Sequence, residues 1–143
     1  MIRYVVGFAF NEAKGKVLLV TKLKPEWQKG YLNGIGGKIE QGESPLFTMD
    51  REAIEETGLK LGWTERGIMR GVNSDGNSFW CHIFYAYSDK IYEFKQIEEE
   101  RLRIYSIRSI WLEKYIDNVP LLIEFGLSKD KRPFMQLDYG TGL

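Results

Sequence analysis

The chain has 143 residues, 43% of them apolar and 28% charged, a length and composition that suit one folded globular domain and exclude a disordered chain. Lys+Arg and Asp+Glu each number 20, so the formal net charge is zero, which disfavours binding to extended nucleic acid through a broad basic surface, since that requires an excess of cations. With Cys81 as the single cysteine, no intramolecular disulfide and no thiolate-rich zinc site can form.

Ile2 to Phe10 is rich in β-branched and aromatic residues and reads as a strand. The turn-like stretch Asn11 to Lys16 leads to Val17–Val20, a second buried strand, and the two are expected to form a hairpin. From Lys24 to Gly37 the chain carries Pro25, Gly30, Gly34, Gly36 and Gly37 among aromatics and reads as an ordered loop. Ser44-Pro45 is a helix start, with serine as N-cap and proline at the first helical position. The helix is expected to run over 45–57 and to stop at Gly58, suited to a left-handed C-terminal cap. Leu59–Val72 and Ser78–Tyr87 read as strands joined by the turn Ser74-Asp75-Gly76-Asn77. Cys81 and the single histidine, His82, lie in the apolar run 80–85 and read as buried structural residues. Asp89–Glu100 is a charged connection, Leu102–Ile107 alternates like a strand, and Pro120–Leu127 reads as a second helix. The tail from Lys129 carries no assignable pattern. The order of elements implies a single α+β domain over residues 1–143. No apolar stretch approaches the roughly 18 residues of a membrane span, and Met1-Ile2-Arg3-Tyr4 has no signal-peptide shape, so the expected compartment is the cytoplasm, with no membrane partner.

Chemistry concentrates between Gly37 and Leu59. On the expected helix Glu52, Glu55 and Glu56 stand at i, i+3 and i+4, so their carboxylates share one face. They repel one another, and they sit near the helix C-terminus, where the macrodipole also disfavours negative charge. A divalent cation would account for the cluster, because hard oxygen donors in a tight group are what Mg²⁺ (or Mn²⁺) binds. The glycine-rich loop before the helix would let backbone groups approach a phosphate or a metal.

The segment resembles the Nudix box, in which Gly, Glu, Arg-Glu, Glu-Glu and Gly recur at fixed spacing. Gly37, Glu43, Arg51, Glu52, Glu55, Glu56 and Gly58 occupy the fixed positions, and Ala53 and Leu59 the apolar ones. The resemblance implies an α/β/α sandwich with a mixed β-sheet. It also implies a hydrolase that cleaves a diphosphate bond in a nucleotide substrate, releasing a nucleoside monophosphate. Glu52, Glu55 and Glu56 would be the metal ligands, with Glu52 or Glu55 also a candidate to activate water, and the carbonyl of Gly36 or Gly37 a further ligand. Glu43 and Arg51 would form a structural pair orienting those ligands. One of Glu98, Glu99 and Glu100, with Glu100 the expected one, would add a carboxylate from a later loop. Lys38 would contact phosphate.

The stretch Leu32 to Lys38 is similar to the corresponding segment of the oxidised-purine triphosphatases of this family, except that Leu32 stands where they carry tryptophan. By that likeness Asn33 would pair with a purine edge. Trp27 and Tyr31 would be available to stack on the base, and Asp117 and Asn118 to reach it. The alternatives are hydrolysis of ADP-ribose or dinucleoside polyphosphates, removal of a 5′ pyrophosphate from RNA, or a non-catalytic nucleotide-binding sensor. The protein is expected to work as a monomer or homodimer.

Overall fold

The computed structural model describes residues 1–73, 75–116, 118–128 and 134–139. Strands β1 (Ile2–Phe10), β2 (Lys16–Thr21), β3 (Leu32–Asn33) and β4 (Ile35–Lys38) precede helix α1 (Pro45–Thr57). Then come β5 (Thr64–Val72), β6 (Ser78–Tyr87), β7 (Arg101–Ser106), helix α2 (Val119–Leu127) and β8 (Met135–Asp138). Short 3-10 helices lie at Glu26–Gln28, Asp89–Glu93 and Ile110–Leu112.

The strands form one mixed sheet in the order β3-β2-β1-β6-β5-β8, with β4 also on β1 and β7 also on β2. β1 and β6 run parallel along the full length of β1, from Ile2↔Phe79 to Phe10↔Tyr87. The expected hairpin of β1 and β2 forms, but only where Ala9 and Phe10 meet Leu18 and Val17. Its turn is closed by Asn11 Oδ1, which accepts from the N–H groups of Gly15 and Lys16 at 2.9 Å. Beyond that the two strands splay. β2 pairs antiparallel with β7, while β4 fills the gap beside Tyr4–Gly7 of β1.

Side chains of β1 alternate between two cores, which is why the strand reads as apolar without interruption. Val5 and Ala9 join Leu18, Val20, Phe84 and the α1 residues Met49 and Ala53. Val6, Phe8 and Phe10 join Val17, Leu19, Ile83, Tyr85 and the α2 residues Leu122 and Ile123. The two helices therefore cover opposite faces of the sheet, the expected α/β/α sandwich. On the α2 side the hydroxyls of Tyr85 and Tyr87 donate at 2.6 Å to the carbonyls of Leu122 and Gly126. Cys81 is buried in this core, which pushes its thiol up to about 12 and leaves it inert.

α1 has the expected limits. Ser44 Oγ accepts from Phe47 N–H at 3.1 Å, and Gly58 closes the helix at φ 73°, its N–H donating to Ile54 O. Elsewhere the structure corrects the sequence reading. Residues 35–38 are a strand and not loop: glycine carries no side chain to signal a strand, yet β1 requires its absence here, because a Cβ on Gly36 would overlap the Val5 carbonyl. The strand expected from Leu59 begins only at Thr64; Leu59, Leu61 and Trp63 alternate into the α1-side core from an irregular link. β8 has no counterpart in the reading. It pairs parallel with β5, and Arg70 Nε meets Asp138 Oδ1 at 2.8 Å. Of the turn expected over 74–77, Ser74 lies outside the described residues; Asn73 Oδ1 accepts from Asp75 and Asn77 N–H.

Gly36→Ala should lower stability by about 1–3 kcal/mol, the usual cost of forced overpacking, because the clashing atom belongs to backbone. Gly62→Ala, with nothing within 4 Å of the added methyl, should change it by no more than about 0.5 kcal/mol. Urea unfolding of both variants checks this, and equal midpoints would refute the tight β1–β4 approach.

Candidate active site

The C-terminal half of α1 carries the three glutamates of the motif into three different environments. Glu56 is 7% exposed, the Glu52 side chain 15% and the Glu55 side chain 49%. Glu56 Oε2 is buried and has no hydrogen-bond partner. Burial pushes the Glu56 carboxyl up to about 8, and the charges of Glu52 and Glu98 add to that while Lys22 opposes it. Glu52 is raised too, first by burial, against the pull of Arg51. Gly37 of β4 lies directly beneath it: a Cβ there would run into the Glu52 carboxylate. Gly37 thus lies at the contact between β4 and α1, whereas Gly36 faces the Val5 carbonyl of β1.

Arg51 is the fixed cation of the site. Its Nε donates to Glu43 Oε2 at 2.6 Å and its Nη2 to Glu43 Oε1 at 2.9 Å, a bidentate pair. Nη1 reaches Glu52 Oε1 at 3.1 Å and Glu55 Oε2 at 3.2 Å, and Nη2 also meets the Lys38 carbonyl at 3.4 Å. Glu43 Oε1 further accepts from Glu40 N–H and Thr48 Oγ1, each at 3.0 Å. These donors, Arg51 first, hold the Glu43 carboxyl down at about 2, and Glu43 in turn raises Arg51. The loop before α1 is in this way fastened to the helix and to β4.

The later acidic run faces the same end of α1, and the three glutamates diverge. The Glu100 carboxylate, expected to join the metal ligands, is engaged elsewhere: it accepts from Lys22 Nζ at 3.1 Å and from Leu23 N–H at 2.6 Å. Glu98 is the member whose charge raises both Glu52 and Glu56. Identical residues in sequence gave no means of choosing between them. Lys22 to Lys24 and Ile97 to Glu100 line an open cavity of about 470 Å³. Lys22, missed by the sequence reading, directly follows a strand but belongs to no recognisable pattern.

The remaining expected residues are scattered around this centre. Asn33 Oδ1 accepts from the Gly34 N–H at 2.8 Å, a turn-shaping bond that engages the acceptor proposed for a purine. Trp27 is exposed on the 3-10 helix Glu26–Gln28, and Tyr31 is exposed beside it. Lys38 is exposed at the end of β4. Asp117 lies outside the described residues. His82 is buried in β6, with Nδ1 2.7 Å from Glu65 Oε2 and Nε2 3.3 Å from Arg3 Nη2, the satisfied sheet residue expected.

A divalent cation suits the donor chemistry here: all-oxygen groups, Glu56 buried and Glu52 partly so, and one buried oxygen without a partner. Among the described residues no three carboxylates yet stand close enough to enclose an ion. Arg51 Nη1 draws Glu52 and Glu55 to itself, so both would have to turn from the guanidinium to join Glu56 around a metal.

The family model for the NUDIX domain matches residues 1–120. The chain belongs to the Nudix family. Its fold is shared with the MutT protein of Bacillus halodurans at TM-score 0.74 and 21% identity, covering 98% of this chain and 91% of that one. The NUDIX domain of Shewanella oneidensis NrtR, complexed with ADP ribose, matches at TM-score 0.74 and 17% identity, over 87% of this chain and 84% of that one. The E. coli ORF135 protein matches at TM-score 0.70 and 24% identity, over 93% and 94% of the two chains. Among the described residues no helix of this Nudix chain is long and apolar enough to cross a membrane.

Two pH responses follow, of opposite sign. In metal-free buffer folded Glu56 keeps its proton up to about pH 8, whereas the unfolded carboxyl ionises near 4.5. The folded state then binds more protons in that window, so stability falls as pH rises through it. Urea midpoints measured in EDTA across this range should decline less for Glu56→Gln than for the wild type; parallel declines would refute the buried acid. Glu43 behaves in the opposite sense: the stabilisation it gains is present above 4.5 and lost as pH falls toward 2. Arg51→Ala should lower the melting temperature at neutral pH and reduce that acid sensitivity. An unchanged acid profile would contradict the clamp.

Proposed function

We propose that the chain, working as a single Nudix domain, hydrolyses a diphosphate bond in a nucleoside triphosphate or a nucleoside diphosphate linked to another group. A divalent cation, Mg²⁺ or Mn²⁺, would be held by Glu52, Glu55 and Glu56. The observation that supports this reading is the buried Glu56 oxygen without a partner beside the partly buried Glu52 carboxylate. When bound, the cation supplies charge neutralisation at the diphosphate and acidifies water for attack at phosphorus.

The protein's own residues do the rest. Arg51 and Glu43 hold α1 against the preceding loop, so that the glutamates share one aim. Glu98, on the cavity wall, adds negative charge that acts on Glu52 and Glu56. Glu52 and Glu55 are the two candidates to accept the attacking water's proton, work typically worth 10²–10⁴-fold. Lys22 and Lys24, on the cavity wall, are placed to meet substrate phosphates. Oxidised purine nucleotides belong to the proposed substrate range, although Asn33 would have to release Gly34 N–H to accept from a base.

A second reading is a nucleotide-binding regulator, favoured by the likeness to the NrtR domain that binds ADP ribose. The retained carboxylates speak against it, since a binder gains nothing from a repelling cluster on a helix C-terminus. Product analysis over (d)NTPs, oxidised purine nucleotides, ADP-ribose and dinucleoside polyphosphates separates the two readings. Hydrolysis should cease in EDTA and return with Mg²⁺ or Mn²⁺. Glu56→Gln should fold normally and lose roughly 10²-fold or more in kcat. Turnover that persists without metal, or a fully active Glu56→Gln, would overturn the assignment.

A further inference from the structure

Residues 94–100 join a short 3-10 helix to β7 without forming a ladder of their own, so their backbone groups must find partners elsewhere. Two anchors hold the segment at its ends. Lys95 N–H donates at 2.9 Å to Thr57 O, one of the last carbonyls of α1. The Glu100 carboxylate grips Lys22 and the N–H of Leu23. Between them the chain carries Glu98-Glu99-Glu100, three like charges that left to themselves would spread apart.

The Gln96 side chain organises what lies between. Its Nε2 donates to Glu98 O at 2.8 Å and to Glu100 O at 2.7 Å. Its Oε1 accepts from Leu102 N–H at 2.8 Å. A carboxamide is the neutral group that offers two donors and an acceptor at once, and here all three are used on backbone. The chain from 98 to 102 is curled around this one side chain. With the carbonyls of Glu98 and Glu100 both held by one amide, the backbone from which their carboxylates depart is fixed. Glu100 goes to Lys22, and Glu98 lines the same cavity, close in the chain to Lys95 and Ile97, which meet the C-terminal end of α1 at Thr57 and Gly58.

Building on the metal-dependent reading above, we propose that Gln96 is a positioning residue for the carboxylate centre, its amide holding the 98–102 backbone so that Glu98 faces the α1 glutamates. It touches no substrate and no reacting atom. Its effect passes through Glu98, and that makes the role separable from general support of the fold.

The test is Mn²⁺ titration of the metal-free full-length chain, without substrate, for the wild type, Gln96→Met, Glu98→Gln and the double variant. Methionine keeps the length of the side chain and removes all three bonds. Gln96→Met should weaken Mn²⁺ binding about 10-fold, the lower end of what loss of an outer partner costs a metal site. In the Glu98→Gln background the same change should have no further effect, the mark of two residues acting as one unit. Amide exchange at Leu102 should quicken in Gln96→Met while the melting temperature stays close to that of the wild type. Unchanged Mn²⁺ affinity in Gln96→Met, an equal loss in both backgrounds, or unaltered Leu102 exchange would each overturn the role given to Gln96. A wild type that binds no Mn²⁺ would instead overturn the metal-dependent function itself, and with it any positioning role toward a cation.

Discussion

Three glutamates within two turns of a helix C-terminus oppose both their neighbours and the helix dipole, and everything around α1 answers to that charge. Arg51 meets it first. One guanidinium joins Glu43, Glu52, Glu55 and the Lys38 carbonyl, so a single planar cation connects the loop before the helix, the helix face and β4. Neutralisation is incomplete, because the fork does not reach Glu56, which is buried with one oxygen unpartnered and holds its proton to about pH 8. A centre so balanced retains, at Glu56, a place where a second positive charge would be welcome.

The sandwich supplies the rigidity this requires. Met49 and Ala53 seat α1 on the sheet through one core, while the opposite face is closed by α2 through another. The carboxylates therefore project from a helix fixed along its length. β4 is drawn so close to β1 that Gly36 leaves no space for a side chain, and Gly37 is brought under Glu52 as a result. Both contacts depend on glycine for space and not for unusual dihedrals. The acidic wall opposite α1 is less regular, built from side-chain bonds to backbone rather than from a ladder.

Proteins of this fold include MutT proteins and an NrtR domain that binds ADP ribose, so the sandwich itself does not choose between hydrolysis and binding. The distinction rests with the side chains at the α1 terminus and with the cavity beside them. In this chain that cavity has basic and acidic walls, Lys22 and Lys24 against Glu98 to Glu100. Such a surface offers contacts both to phosphate oxygens and to a cation that would bridge them.

Much of this was legible in the chain itself. Ser44-Pro45 and Gly58 determined α1 to the residue, because caps act locally, and helical spacing alone put Glu52, Glu55 and Glu56 on one face. Long apolar runs determined β1 and β6, whose burial on both faces leaves no polar alternation to misread. What the sequence could not determine depended on partners distant in the chain. β4 was hidden because glycines carry no pattern, and only β1 beside them explains the strand. β8 exists through its pairing with β5, more than sixty residues earlier, as its register with Gly67–Arg70 shows. Glu52, Glu55 and Glu56 are alike in sequence, and burial first, with the charges of Glu52 and Glu98 added, raises Glu56, while Glu55 is left at the rim. Likewise Glu98, Glu99 and Glu100 are three copies of one residue, distinguished only when the folded chain brings Lys22 to Glu100 and α1 to Glu98. Local chemistry can be read along a sequence, but the solvation and pairing of a charge depend on what the fold brings next to it.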